Sequence, residues 1–269
     1  MRLPLILTLV TMLISACAER EPEPDPVQTA DVVIIGEVHG VADHHAYQAA
    51  LVASLQPDAI VFEQVAGADT ARLNGLLQAG ASDREIAQRL QWAQSGWPNF
   101  GFYSRIMRAA PAAQILGGNA PLNDVRRARL EGAAPAFGSD AARYGLTTAL
   151  APAERATREQ AQFDVHCGAV PLSAMRGFVE AQRYRDAVLA QTVLLARERT
   201  RGGTVVLITG NGHARVDWGV PRALLNANPD VSVWSIGQVG PGSTEPFNEV
   251  RVREFTAQED PCVVFGASR

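Results

Sequence analysis

Apolar residues along the chain fall into short runs, separated by longer segments with helical periodicity. Val32 to Ile35, Ala59 to Phe62, Gln114 to Leu116 and Val205 to Thr209 are four such runs, and each gives way to Gly or a polar residue. Their length, and the Val and Ile in them, predict buried strands. Between the first two, a helix is predicted over His44 to Leu55, with Asp43 as its cap and Pro57 just past its end. Asp69 to Leu77, Asp83 to Ala93 and a long stretch from Ser173 to Arg199 read the same way. In the last of these, Phe178, Val188, Leu189, Val193 and Leu195 recur at helical spacing. A short helix at Pro221 to Leu225 precedes a further apolar run, Val231 to Ile236. Strands alternating with helices predict an α/β fold, a mainly parallel sheet with helices on both faces. Residues 120–170, with Pro, Ala and Gly throughout, are expected as a helical subdomain or insertion. The tail from Glu245 to Phe265 is expected to add one or two edge strands.

The beginning of the chain departs from this pattern. Arg2, an apolar stretch from Leu3 to Ile14, and the small residues Ser15 and Ala16 read as a bacterial-type signal peptide over residues 1–16. A spanning helix takes roughly 20 apolar residues, and this run stops sooner. Leu13-Ile-Ser-Ala-Cys17 resembles the lipobox of bacterial lipoproteins. That resemblance implies a diacylglyceryl group on Cys17, a lipid anchor in the bacterial cell envelope and, with Ala18 next, sorting to the outer membrane facing the periplasm. Residues 17–30 then form a lipidated Cys and a Pro-rich tether, because the alternating acids and prolines from Glu21 to Pro26 favour an extended chain. At ~3.1 Å per residue such a tether reaches roughly 40 Å. Residues 31–269 are long enough for one sizeable domain, and a hydrophobic content of 47% suits a packed core.

Charge narrows the function. The net charge is −4 with no basic stripe, so the chain offers nucleic acid no footprint. It contains no lysine, which removes Schiff-base chemistry and the lysine of a phosphate loop. Once Cys17 is assigned to lipid, Cys167 and Cys262 are an even pair, expected to be bridged in an oxidising compartment. The alternative is a nucleophilic Cys167 beside His166. No Cys-x-x-Cys-His motif is present, so any haem would be held without thioether links.

The chemistry concentrates in two matching turns, Gly36-Glu37-Val38-His39 and Gly210-Asn211-Gly212-His213, each directly after a predicted strand. In an open parallel sheet the loops at strand carboxyl ends share one edge, where ligands bind. Glu63, following Ile60-Val61-Phe62, belongs to the same edge. Glu37, His39, Glu63 and His213 are thus expected around one cleft, suited to a metal or to acid–base work. His44 and His45 stand at the amino end of the next helix, where the dipole favours neutral rings able to act as ligands. Trp97, Phe100, Phe102 and Tyr103 are crowded into one short segment, which suits either a flat apolar ligand or the core. Gln182 and Asp186 lie four apart on the long helix, with Arg185 beside them, as a polar face or a wall of the site.

Taken together these residues resemble the ChaN-like haem-binding lipoproteins. The resemblance runs through Gly-Glu-x-His, His-His-x-x-Gln from His44, Glu63, Ser95-Gly-Trp-Pro98, Gln182 with Arg185-Asp186, and Gly210-Asn-Gly-His-Ala-Arg215 followed by Gly219-Val-Pro221. It implies an α/β fold with a helical subdomain and noncovalent haem binding in haem or iron uptake, with His39, His44, His45, Tyr103 and His213 as cofactor-binding residues. A homodimer sharing the haem is a further implication. Tyr103 and His166 are the candidate axial donors by residue type. Tiki-like members of the wider group resemble metal-dependent hydrolases. That rival reading places a divalent metal on His39, Glu63 and His213, with Glu37 or Glu63 activating water.

Overall fold

The computed structural model describes residues 25–254 and Cys262. The signal peptide, Cys17, most of the tether and the remainder of the tail lie outside the described residues. The strands are β1 (Val32–Glu37), β2 (Ala59–Ala66), β3 (Gln114–Asn119), β4 (Val205–Gly210), β5 (Val233–Val239) and β6 (Glu249–Val252). They form one sheet in the order β3-β2-β4-β1-β5-β6, and every pairing is parallel.

The alternation of side chains along each strand sorts the core into two layers. Val32, Ile34, Ala59, Val61, Leu116, Val205 and Leu207 point to one face. Val33, Ile35, Ile60, Phe62, Ile115, Val206 and Ile208 point to the other. Both faces are covered, so β1 and β4 open on unbroken apolar runs, Val32 to Ile35 and Val205 to Ile208, and every residue of both strands is buried. The second face is covered by α2 (Ala42–Leu55), α3 (Thr70–Gln78), α4 (Asp83–Arg89) and α5 (Phe100–Ala109), with α1 (Pro26–Thr29) at its edge. The first is covered by α6 (Leu122–Glu131), α7 (Ala133–Phe137), α9 (Met175–Arg199) and α11 (Val220–Ala227). The remaining helices, α8 (Pro152–Val165) and the single turn α10 (Asn211–Ala214), stand at the carboxyl edge of the sheet. The α/β fold with helices on both faces is therefore present. Residues 122–165 form the expected helical insertion, laid against α9 instead of folding apart.

Several local expectations are corrected. Helix α2 has Val41 as its N-cap with no side-chain hydrogen bond, and Asp43 instead sits in the first turn and pairs with Arg253 at 2.7 Å. The tether was expected to stay extended through Ala30. The chain instead turns at Pro26 into α1, which Asp25 caps, and buries Val27 and Ala30 in the second core layer. Along α9, Val179, Leu189 and Val193 are buried whereas Leu195 is exposed, because the helix presents its other side to the sheet. As expected, the tail adds an edge strand within the described residues, β6, parallel to β5.

Cys167 and Cys262 form a disulfide across a sequence separation of 95. Closing so long a loop restricts the unfolded chain, an effect worth about 2–5 kcal/mol when a native bridge is removed. Denaturant unfolding of Cys262→Ser is expected to show a loss in that range. Equal unfolding midpoints for the variant and the wild type would show that the bridge adds no stability.

Candidate functional site

The topology decides where the site lies. β4 sits between β1 and β2, and the chain runs outward from this pair in opposite directions, leaving a crevice at the carboxyl ends. The β1–β4 register pairs Glu37 with Gly210, so the two Gly-x-x-His turns lie side by side. They touch closely. A Cβ at Gly36 would collide with Asn211 Oδ1, which hydrogen bonds to Gln238 hold in place, so glycine is favoured there. Asn211 bridges to β5, donating from Nδ2 to the carbonyl of Gln238 at 2.6 Å, while Gln238 Nε2 donates to the carbonyl of Gly36 at 2.8 Å.

Two buried carboxylates organise this edge. Glu63 Oε2 accepts from Thr209 Oγ1 at 2.7 Å and from the Gly210 N–H at 2.8 Å. Its Oε1 lies 3.4 Å from His213 Nε2, and His213 Nδ1 lies 2.6 Å from Asp186 Oδ1. Burial alone would strip the proton from His213. The charges of Glu63 and Asp186, with their hydrogen bonds, overcome it and raise the ring to about 10. Burial likewise opposes ionisation of Glu63, but His213, His39 and the Gly210 N–H together hold its carboxyl well below the usual range. Asp186 is pushed upward by burial, against the pull of His213 and Arg158. His213 is thus an imidazolium between two carboxylates, with the Gln182 amide 3.0 Å from its Nδ1.

Glu37 is the second centre. His39 Nδ1 lies 2.7 Å from its Oε1, Tyr103 OH donates to the same oxygen at 2.9 Å, and Gln48 Nε2 donates to Oε2 at 2.8 Å. Gln64 Nε2 adds a longer contact at 3.3 Å. Desolvation works against protonation of His39, yet the Glu37 hydrogen bond and the Glu63 charge raise it above the ordinary histidine value. Tyr103 is driven far upward, by burial first and then by Glu37, so its phenol keeps its proton.

The remaining candidates divide clearly. His44 and His45 are both buried. His44 Nδ1 accepts the Val38 N–H at 3.0 Å and His45 Nε2 accepts the Gly40 N–H at 3.3 Å, so these rings fasten the turn after β1. Burial lowers His45, keeping it neutral as its helix position implied. Its ring stacks on Phe102 with centroids 4.6 Å apart. Phe100 and Tyr103 are core residues, and of the aromatic segment Trp97 reaches the His39 ring, edge-on at 5.0 Å.

A cavity of about 520 Å³ opens above the two turns. Its floor is Glu37, His39, Glu63, Gly210 and His213, and its far wall is α8 with Ala161, Gln162 and Val165, followed by His166. Val179 and Gln182 of α9, with Arg158, Arg215 and Trp218, complete the lining. His39, Glu63, His166 and His213 are therefore brought together, and His44, His45 and Tyr103 are not among the lining residues. The rival reading's divalent metal set on His39, Glu63 and His213 is not supported. Among the described residues no three His, Cys, Asp or Glu side chains are grouped to hold an ion. The physical reason is that both ring nitrogens of His213 face carboxylates and one oxygen of Glu63 is already committed to Thr209 and Gly210.

Arg158, Ala161, Val165 and Trp218 carried no motif in the sequence. The one available signal was the amphipathic segment after Pro152, which supplies a wall without any distinctive residue.

A family model described as haem-binding uptake, Tiki superfamily, ChaN matches residues 25–224. The chain belongs to the ChaN family. Among solved structures, this ChaN-family protein resembles the ChaN of Campylobacter jejuni, a structure of cofacial heme binding. The TM-score is 0.60 at 15% identity, covering 83% of this chain and 88% of that one. At that identity the likeness speaks for the fold. A mutant erythromycin esterase, EreC, in its open conformation is more distant, with a TM-score of 0.43 at 12% identity over 82% of this chain and 76% of that one. No curated protein matches the sequence.

The imidazolium of this ChaN-family chain has a pH signature. His213 is raised to about 10 in the folded state, above the ordinary histidine value of 6.5. Its stabilising contribution is complete below about pH 6.5 and is lost as pH rises towards 10. Urea unfolding across that window is expected to show declining stability in the wild type, and a shallower slope in His213→Asn. Identical slopes would contradict a charged His213.

Proposed function

We propose that the cavity binds haem noncovalently and that the protein holds it at an envelope membrane for handover in iron uptake. The observation that carries this reading is the cavity itself, about 520 Å³ with an apolar side of Ala161, Val165, Val179 and Trp218 facing imidazoles on the other. That size and that mixture suit a large, flat, mostly apolar ligand fixed by a few polar groups. Membership of a haem-binding family supports the same ligand, as does the cofacial heme in the Campylobacter jejuni ChaN structure.

The residues present fit the group. His39 donates from Nδ1 to a fixed carboxylate, Glu37, an arrangement that orients an imidazole and strengthens its other nitrogen as an iron donor. His166 stands at the opposite wall, its Nδ1 2.7 Å from the Gln162 carbonyl oxygen. Either ring would hold the iron, whereas Tyr103, protonated and spent on Glu37, would hold the floor in place. Bound haem supplies an iron centre, and the chain's part is to enclose it, exclude water and set its orientation. Val165 leaves an apolar edge at the cavity, 57% exposed, where a second copy would share the haem.

The envelope location rests on the leader and lipobox read in residues 1–17, and the Cys167–Cys262 bridge suits an oxidising compartment. The anchor in this reading is the lipid on Cys17.

Hemin added to the purified apoprotein is expected to give a saturable Soret-band shift. His39→Ala should weaken binding about tenfold or more, in line with loss of a braced donor. A flat titration with the wild type would sink the haem reading.

A further inference from the structure

Beside the main cavity lies a smaller one of about 130 Å³, and Arg158 and Trp218 line both. Three guanidinium groups surround it, those of Arg158, Arg183 and Arg222. Two are committed. Arg183 is spent on Glu180 and on the carbonyls of Gly145, Leu146 and Thr148. Arg222 donates to Glu154 and to the Asp217 carbonyl.

Arg158 is different. It is only 6% exposed, and its one hydrogen bond among the described residues runs from Nη2 to Glu154 Oε1. That same oxygen also serves Arg222, so one carboxylate is divided between two cations. Arg158 Nε is buried with no hydrogen-bond partner, which is costly for a charged group. The guanidinium lies 5.2 Å from the Trp218 ring centroid, a contact that positions it without using its N–H donors. Across the pocket, Asp186 gives Oδ1 to His213 while its Oδ2 has no hydrogen-bond partner. The pocket therefore holds an under-used guanidinium fork and one lone acceptor.

We infer that this side pocket is a carboxylate subsite, in which Arg158 receives an acidic arm of the ligand seated in the main cavity. The guanidinium fork matches a carboxylate's two oxygens, and such charge-assisted pairs are about twice as strong as neutral ones. A proton or a water carried with the carboxylate satisfies Asp186 Oδ2 and separates the two acids. The volume has room for a carboxyl group and a water, whose share of the liquid is ~30 Å³. The inference rests on the haem reading, for which the arm is a propionate, and it orients the ring by one edge.

The test compares hemin with hemin dimethyl ester, which keeps the ring and iron but lacks free carboxylates. Absorbance titrations of the wild type, Arg158→Gln and Arg158→Lys provide the readout. The wild type is expected to bind hemin about tenfold or more tighter than the ester, the scale of a hydrogen bond to a charged group. Arg158→Gln should abolish that preference and Arg158→Lys should retain part of it, because a point charge replaces the fork. Equal wild-type affinities for hemin and ester would overturn the subsite while leaving haem binding intact, and this comparison needs no variant. A preference that survives in folded Arg158→Gln would overturn it as well. Failure of the wild type to take up either porphyrin would remove the haem reading and the subsite together.

Discussion

His213 ties α9 to β2, through Asp186 on one side and Glu63 on the other, and the cavity floor is positioned from that contact. Three ionisable side chains are buried here, an arrangement that costs far more than it returns unless each charge is met. His213 and Glu63 are met on both sides, and Asp186 through Oδ1. The imidazolium lies between two carboxylates, and Glu63 takes two further hydrogen bonds from Thr209 and the Gly210 N–H. The Gly210 N–H belongs to the turn that carries His213, so the ion pair and the turn hold one another. Glu37 repeats this logic on β1, pairing with His39 at 2.7 Å and gathering further donors from Gln48, Gln64 and Tyr103.

This explains why a chain with so few histidines devotes two of them to scaffolding. His44 and His45 present acceptor nitrogens to the N–H groups of the turn after β1, which would otherwise be buried without partners. The aromatic segment serves the same end. Phe102 stacks on His45 and Tyr103 reaches Glu37, so α5 presses the turn from behind. The wall facing this floor comes from a different part of the chain, α8 with Ala161, Gln162 and Val165. A polar floor facing an apolar wall suits the flat ligand of the proposed reading.

The strands and both Gly-x-x-His turns were legible in the sequence because a doubly covered parallel sheet imposes unbroken apolar runs, and glycine is forced where two turns meet. Their neighbouring placement followed from the rule for strand carboxyl ends. The division of labour among the histidines was not legible. His39 and His44 differ little by composition, yet one ring faces the cavity and the other a backbone amide, a distinction set by tertiary geometry. Asp43 looked like a cap because its type suits one, but Arg253 just past β6, distant in sequence, claims its carboxylate. The α8 wall was invisible for the opposite reason. Ala161 and Val165 have no chemistry of their own, and their importance comes from the surface they complete. Asp186 was legible as a polar position on α9, and its partner His213 as a turn residue, but their pairing across the edge needed the fold.

In the proposed reading the ligand sits between the two turns and α8, with the aromatic segment behind the floor. Paramagnetic broadening of backbone amide signals in isotope-labelled protein loaded with hemin locates the iron directly. Broadening centred on residues 161–166 and 210–213 and on the turn at 38–39 is the predicted result. Broadening centred on residues 100–107 of α5, with the α8 signals left sharp, would contradict it.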